Sequence, residues 1–192
     1  MIFFYKKFKK TYTICEKYVI LSNKNKMKGN FRMKKLRIYL DTSVISYLDQ
    51  QDTPEQMKQT QELWEIFKTD KYDVIISDIA FSEISKCSDE KIKILNNYIN
   101  QVDYIEYNPT EEAKELVTQL IEEGVLTDKQ ITDCYHIASA ILSDCNIILS
   151  WNFKHLVNID TINGIRRINL KNRFNSFIDI YPPYVLLKKE DD

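Results

Sequence analysis

Residues 37–48 read RIYLDTSVISYL. Four residues suited to a short strand, Arg37 to Leu40, run directly into Asp41, and the apolar pattern resumes at Val44, Ile45, Tyr47 and Leu48. A carboxylate where a buried strand ends is costly unless it caps a helix, is paired, or faces a crevice. Which of these Asp41 does depends on what the rest of the chain builds around it.

Downstream, strand and helix patterns alternate. Pro54 can open a helix, and Met57, Thr60, Leu63, Trp64 and Phe67 recur at helical spacing. DVIIS (73–77) reads as a second strand, followed by a helix that Ser77 or Asp78 can cap. Ser88 opens another helix with Ile92, Leu95 and Ile99 on one face, and DYIEY (103–107) is a third strand. Thr110 starts a helix carrying Leu116, Val117, Leu120 and Ile121, which Gly124 stops. Thr127 and Gln130 have the spacing of a capping box, and the helix behind them buries Cys134, Ile137, Ala138 and Ile141. NIILS (146–150) is the fourth strand and RRINL (166–170) is read as the fifth. Such alternation predicts an α/β fold, a mainly parallel sheet covered by helices on both faces.

The chain has 192 residues, enough for one domain with a real core; 44% apolar and 29% charged residues fit a globular protein. Cys15, Cys87, Cys134 and Cys145 are scattered without a CxxC pair. That speaks against a zinc knuckle or disulfide framework and for a reducing, cytoplasmic setting. Two histidines exclude a His-rich metal site. No apolar run approaches the ~20 residues of a membrane span, so no membrane partner is expected.

The net charge of −1 hides an asymmetry. Residues 1–37 hold 12 of the 27 Lys and Arg and only one acid, Glu16, so the remainder is strongly acidic. The basic segment is a poor signal peptide, because IFFY and YVIL are too short for its apolar region. It reads either as an arm that touches nucleic acid or membrane, or as a stretch outside the domain from a start assigned too early. The second reading predicts a basic extension over residues 1–32 and a domain over 33–192, with Met33 as a natural first residue.

In an open α/β sheet, ligands bind at the carboxyl ends of the strands. Asp41 sits at such an end, Glu83 about two turns into the helix after the second strand, and Asp133 early in the helix after Thr127. Asn152 follows the fourth strand, and His136 shares a helix face with Asp133. Taken singly, each has an ordinary explanation: a helix cap, a solvated helix residue, a first-turn acid, a turn residue, a packing histidine. Jointly they map to one sheet edge. At ~5 Å and an effective dielectric of ~20, each like-charged pair costs roughly 3 kcal/mol. A hard divalent cation removes that cost, and oxygen donors suit Mg²⁺ or Mn²⁺. Such an ion, with a free carboxylate as base, is equipment for phosphodiester hydrolysis.

LDTSVI (40–45), SDIAFSEI (77–84), TDCYHIASA (132–140) and IILSWNFKHL (147–156) resemble the four ordered motifs of the PIN domain. More narrowly, they resemble the VapC-type toxin ribonucleases of bacterial toxin–antitoxin pairs. The resemblance runs from about Met33 to Leu170. It implies a three-layer α/β/α sandwich and an Mg²⁺- or Mn²⁺-dependent endoribonuclease. Asp41, Glu83 and Asp133 would be its acidic, metal-holding cluster, Thr42 or Ser43 would support the first acid, and His136 would be structural or lie behind the acids. A small antitoxin whose basic tail blocks the acidic crevice is an expected partner, and a homodimer a common assembly.

The fourth motif departs from the family, with Asn152 in place of the usual aspartate. Its amide oxygen can still orient a ligand or a water, but it supplies no charge, which puts a second metal in doubt. Asn152 therefore keeps open a different class of function, a PIN-like module that binds RNA or protein without cutting. For RNA phosphates, the local basic cluster is Lys154, Arg166, Arg167, Lys171 and Arg173, read either as a strand-binding groove or as solvated surface charge. Three other enzymes are disfavoured. A haloacid dehalogenase-like phosphatase needs an acid where Ser43 stands, a receiver domain needs an early acidic pair, and a serine hydrolase needs a GxSxG elbow.

Overall fold

In the computed structural model, which describes residues 34–174 and 178–187, the opening stretch forms strand β1 (Arg37–Leu40) and the short helix α1 (Thr42–Ser46). The remaining strands are β2 (Asp73–Ser77), β3 (Tyr104–Tyr107), β4 (Ile147–Leu149) and β5 (Asp179–Tyr181). They pair in the order β3-β2-β1-β4-β5, and every pairing is parallel. The helices are α2 (Pro54–Phe67), α3 (Asp78–Ile84), α4 (Asp89–Ile99), α5 (Glu111–Glu122), α6 (Ile131–Leu142) and α7 (Ile159–Asn172), with three short 3₁₀ turns between them among the described residues. The 1–32 extension lies outside the described residues.

The central strand explains the layers. Ile38 and Leu40 point into one core with Val74, Ile76 and Leu149, where residues of α1 to α4 meet them, including Val44, Trp64, Ala80 and Leu95. Tyr39 points the other way, with Ile75 and Ile148, into a core built by α5, α6 and α7. Both faces of the sheet are therefore covered, and β1 and β4 read as continuous apolar runs for that reason. Burying each large aliphatic side chain is worth about 1.5–3 kcal/mol, so the centre of the sheet is the stable platform of the fold. The result is the three-layer α/β/α sandwich expected from the sequence.

Local signals behave as their chemistry requires. Pro54 stands at the start of α2, and Ser88 Oγ accepts the Lys91 N–H at the start of α4. α5 ends at Gly124 with φ +66, where Gly124 N–H bonds Ile121 and Val125 N–H bonds Leu120, a left-handed stop that suits glycine. The Thr127–Gln130 capping box is present, but it starts the 3₁₀ turn Asp128–Gln130, and α6 begins one residue later.

One expectation is corrected. RRINL (166–170) is not the fifth strand; it lies inside α7. Thr161, Ile165, Ile168 and Asn169 are buried while Leu170 is exposed, a three-and-four spacing that belongs to a helix. Asn158 caps this helix, its Oδ1 accepting the Asp160 N–H. The fifth strand is the three-residue Asp179–Tyr181. Among the described residues, no helix is long and apolar enough to cross a membrane.

Candidate active site

The strand order places a topological switch between β1 and β4. The chain proceeds from β1 to β2 and β3 on one side, then crosses to β4 and β5 on the other. A crevice opens where neighbouring strands send their connections in opposite directions. Asp41 follows β1 there, and Ser150, Trp151 and Asn152 follow β4. A cavity of about 500 Å³ occupies this position, and Asp41, Glu83, Asp133 and Asn152 all line it. Thr42 and Ser43 line it as well. The acids thus arrive from the β1–α1 corner, from α3 and from α6.

Asp41 is buried and occupies the cap position of α1, yet its side chain makes no capping hydrogen bond. Its Oδ2 instead accepts the hydroxyls of Ser43 and Ser150. Each of those serine oxygens accepts a backbone N–H from the loop after β4, Ser43 from Trp151 (2.9 Å) and Ser150 from Asn152 (2.9 Å). A hydroxyl that accepts from a fixed amide is left to donate, so both protons are aimed at Asp41. The other oxygen, Oδ1, faces His136 Nε2 at 3.5 Å.

His136 is buried and joins the first two acids. Its Nε2 lies 3.0 Å from Glu83 Oε2, to which Thr42 Oγ1 also donates. Its Nδ1 meets the Tyr39 hydroxyl at 2.7 Å, and that hydroxyl meets Ser77 Oγ at 2.6 Å. Facing carboxylates, Nε2 carries a proton and donates it; in the neutral ring Nδ1 then accepts from Tyr39. Burial pulls the imidazole pKa down, but the Glu83 hydrogen bond and the charges of Asp41, Glu83 and Asp133 outweigh it, and the net shift is upward. The same hydrogen bond holds Glu83 below its ordinary value, against the cost of desolvation.

Asp133 is different. Burial first, and the Asp41 charge second, push its carboxyl above the ordinary value. Its Oδ1 accepts from Asn152 Nδ2 at 3.1 Å. The Asn152 oxygen, expected to be available to a ligand, is already used: it accepts the His155 N–H at 3.0 Å. At this position the amide shows the cavity its NH₂ end, and it steadies Asp133 instead of offering an acceptor.

Among the described residues, no group of three His, Cys, Asp or Glu side chains closes tightly enough to hold a metal ion unaided. The donor set still fits a hard divalent cation. Its ligands are oxygens, the cavity leaves room for the several waters that Mg²⁺ retains, and Asp133 carries charge repulsion that a cation would relieve. The basic cluster is not part of the cavity wall. Arg166 pairs with Asp179 and Lys171 with Glu123, both on the surface.

Three participants lacked a sequence signal for a role in the site; Ser77, a candidate helix cap, makes no capping hydrogen bond and meets the Tyr39 hydroxyl instead. Tyr39, Ser77 and Ser150 each stand at or next to the carboxyl end of a parallel strand, which is the position that could have marked them.

Fold and site together define an α/β/α domain with an acidic cavity at the carboxyl edge of a parallel sheet. The chain belongs to the PIN domain family, whose model matches residues 38–155. No curated protein matches it. Among solved structures, it is similar to VapBC2 from Rickettsia felis bound to a DNA fragment from their promoter. Identity is 15% and the TM-score 0.49, with 77% of this chain and 98% of that one covered.

Proposed function

We propose that the chain is a metal-dependent endoribonuclease, the toxin of a type II toxin–antitoxin pair. The observation that carries this reading is the cavity at the β1–β4 switch, lined by three carboxylates from distant parts of the chain. Asp41, Asp133 and Glu83 would hold Mg²⁺ or Mn²⁺. When bound, the cation would polarise the phosphate and lower the pKa of the attacking water.

The side chains divide the remaining work. Ser43 and Ser150 hold Oδ2 of Asp41 with two hydroxyl hydrogen bonds and leave Oδ1, which faces His136, without a hydroxyl donor. His136 and Thr42 keep Glu83 charged and fixed. Asn152 occupies Oδ1 of Asp133, and Oδ2 would receive the proton of the attacking water. In the absence of a cation, burial and the Asp41 charge raise the Asp133 carboxyl above its ordinary value, which favours its taking a proton. The water oxygen bonds phosphorus as the bond to the ribose oxygen breaks, and the departing oxygen takes a proton from solvent.

The acidic cavity also suits a basic peptide, which supports a small antitoxin as partner. The scattered cysteines support a reducing, cytoplasmic setting. Lys154, Arg166, Arg167, Lys171 and Arg173 remain candidate phosphate contacts along an approaching strand. One observation favours a second reading, a module that binds RNA or protein without cutting: Asn152 adds no charge, and its oxygen is spent within the loop.

Cleavage of single-stranded RNA with Mg²⁺ or Mn²⁺, with and without EDTA, tests both. The nuclease reading expects cutting that EDTA and Asp41→Asn each abolish. Activity that survives either treatment rejects the metal mechanism, and binding without cutting under both metals selects the module.

A further inference from the structure

Two aromatic rings line the carboxylate cavity, and two more pack against one of them. Tyr47 and Trp151 form part of its wall and stack on one another, with centroids 5.6 Å apart and planes at 23°. Phe153 and Tyr184 pack against Trp151 at 6.1 and 6.0 Å. Trp151 is almost buried, and its indole N–H donates to Thr60 Oγ1 at 2.9 Å, which fixes the ring. Phe153 is 50% exposed and Tyr184 39% exposed. The rings therefore lead from the acids out to the surface.

Filling the core does not account for Phe153, since half of it faces water and Trp151 already closes the interior beneath it. Nor is the ring on a loose segment. Its turn is held by the Phe153 N–H to Trp151 O bond and by Asn152, which accepts the His155 N–H.

A polyanion approaching this cavity meets three carboxylates, and among the described residues no Lys or Arg lines the wall. Without a cation, the three carboxylates repel a phosphate at the wall itself, so attraction there needs another source. Stacking can supply it, since every base has a π-face and stacking tolerates any sequence. Only unpaired strands offer that face; in a duplex the bases are stacked on each other. Gln50 and Ser46, on the same wall, bring polar groups to the edge of a seated base.

We propose that the exposed rings of Phe153 and Tyr184, held from behind by the buried Trp151 and by Tyr47, form a stacking platform for unpaired bases of single-stranded RNA, seating the strand beside Asp41 and Asp133. The platform rests on the nuclease reading for its substrate, and binding is measured separately from cutting so that the two can fail independently.

The experiment uses the full chain in EDTA at about 0.15 M ionic strength, which screens both the carboxylates and the basic residues 1–37. Fluorescence anisotropy compares a short polyadenylate with an abasic ribose-phosphate oligomer of the same length and charge. The base-bearing strand should bind more tightly. Phe153→Leu and Tyr184→Leu, which keep apolar bulk but remove the ring, should each weaken it by roughly tenfold and leave the abasic strand unaffected. Circular dichroism checks that both variants fold. Equal affinity of the wild type for the two strands, no binding of either, or unchanged affinity in both folded variants overturns the platform. The last result would assign the rings to a protein partner. Failure of the nuclease reading looks different: base-dependent binding persists, but no metal supports cutting.

Discussion

Asp41 and Asp133 line one cavity, but the protein compensates their charges differently. Asp41 receives two hydroxyl protons whose orientation is fixed by backbone amides, and an imidazole faces its other oxygen. Asp133 receives one amide N–H, and burial together with the Asp41 charge pushes its carboxyl pKa upward. One side of the site is preorganised by the protein alone. The other holds unrelieved repulsion, which a cation or a proton must offset. The contrast separates a structural anchor from the group best placed to exchange a proton or recruit an ion.

Breaking the anchored side should have the largest effect. Asp41→Asn removes a charge from the proposed cation site, and RNA cleavage should fall roughly 100-fold or more; initial rates with saturating Mn²⁺ measure it. Ser43→Ala removes a hydrogen bond to a buried charge and also strands the Trp151 N–H, which that hydroxyl accepts. Urea unfolding should show a loss of about 3 kcal/mol. A loss below about 0.5 kcal/mol would mean that the serine does not anchor Asp41.

Much of this contrast was out of reach of the sequence, for identifiable reasons. The acids were visible because each lies where an apolar pattern breaks, and β1 to β4 because each combines β-branched residues with a clear boundary. Ser150 as a partner of Asp41 depends on β4 lying beside β1, and strand order is not a property of local pattern. The Ser77–Tyr39–His136 chain depends on which face of β1 meets α6. From sequence alone Asn152 offers a free amide oxygen, since its bond to the His155 N–H exists only in the folded turn. RRINL misled because Ile168 and Leu170 alternate like a strand over so short a window. The helix emerges only when Thr161 and Ile165 are included. β5 is three residues long, too short to show any period.

The repulsive side gives a sharper test of smaller size. Asn152→Asp replaces the donor on Asp133 Oδ1 with a second carboxylate. Without metal the variant should lose about 2 kcal/mol, the worth of a hydrogen bond to a charged group. Magnesium should recover part of that loss, so the melting temperature should rise more on adding Mg²⁺ than in the wild type. Equal magnesium shifts in both proteins would show that no cation settles between residues 133 and 152.

A position away from the acids sets the scale for packing without charge. Gly164, in α7, stands so close to Val125 that a Cβ would fall 2.7 and 2.8 Å from its two methyl carbons. Alanine normally favours a helix over glycine by about 1 kcal/mol, but overpacking costs about 1–3 kcal/mol. Gly164→Ala should therefore destabilise by about 1 kcal/mol, and Val125→Ala in the same chain should recover most of it. Neither residue lines the carboxylate cavity, so the cleavage rate per folded molecule should stay at the wild-type value. If Gly164→Ala stabilises instead, Val125 moves aside at little cost, and the approach of α7 to the turn after α5 is softer than these distances imply.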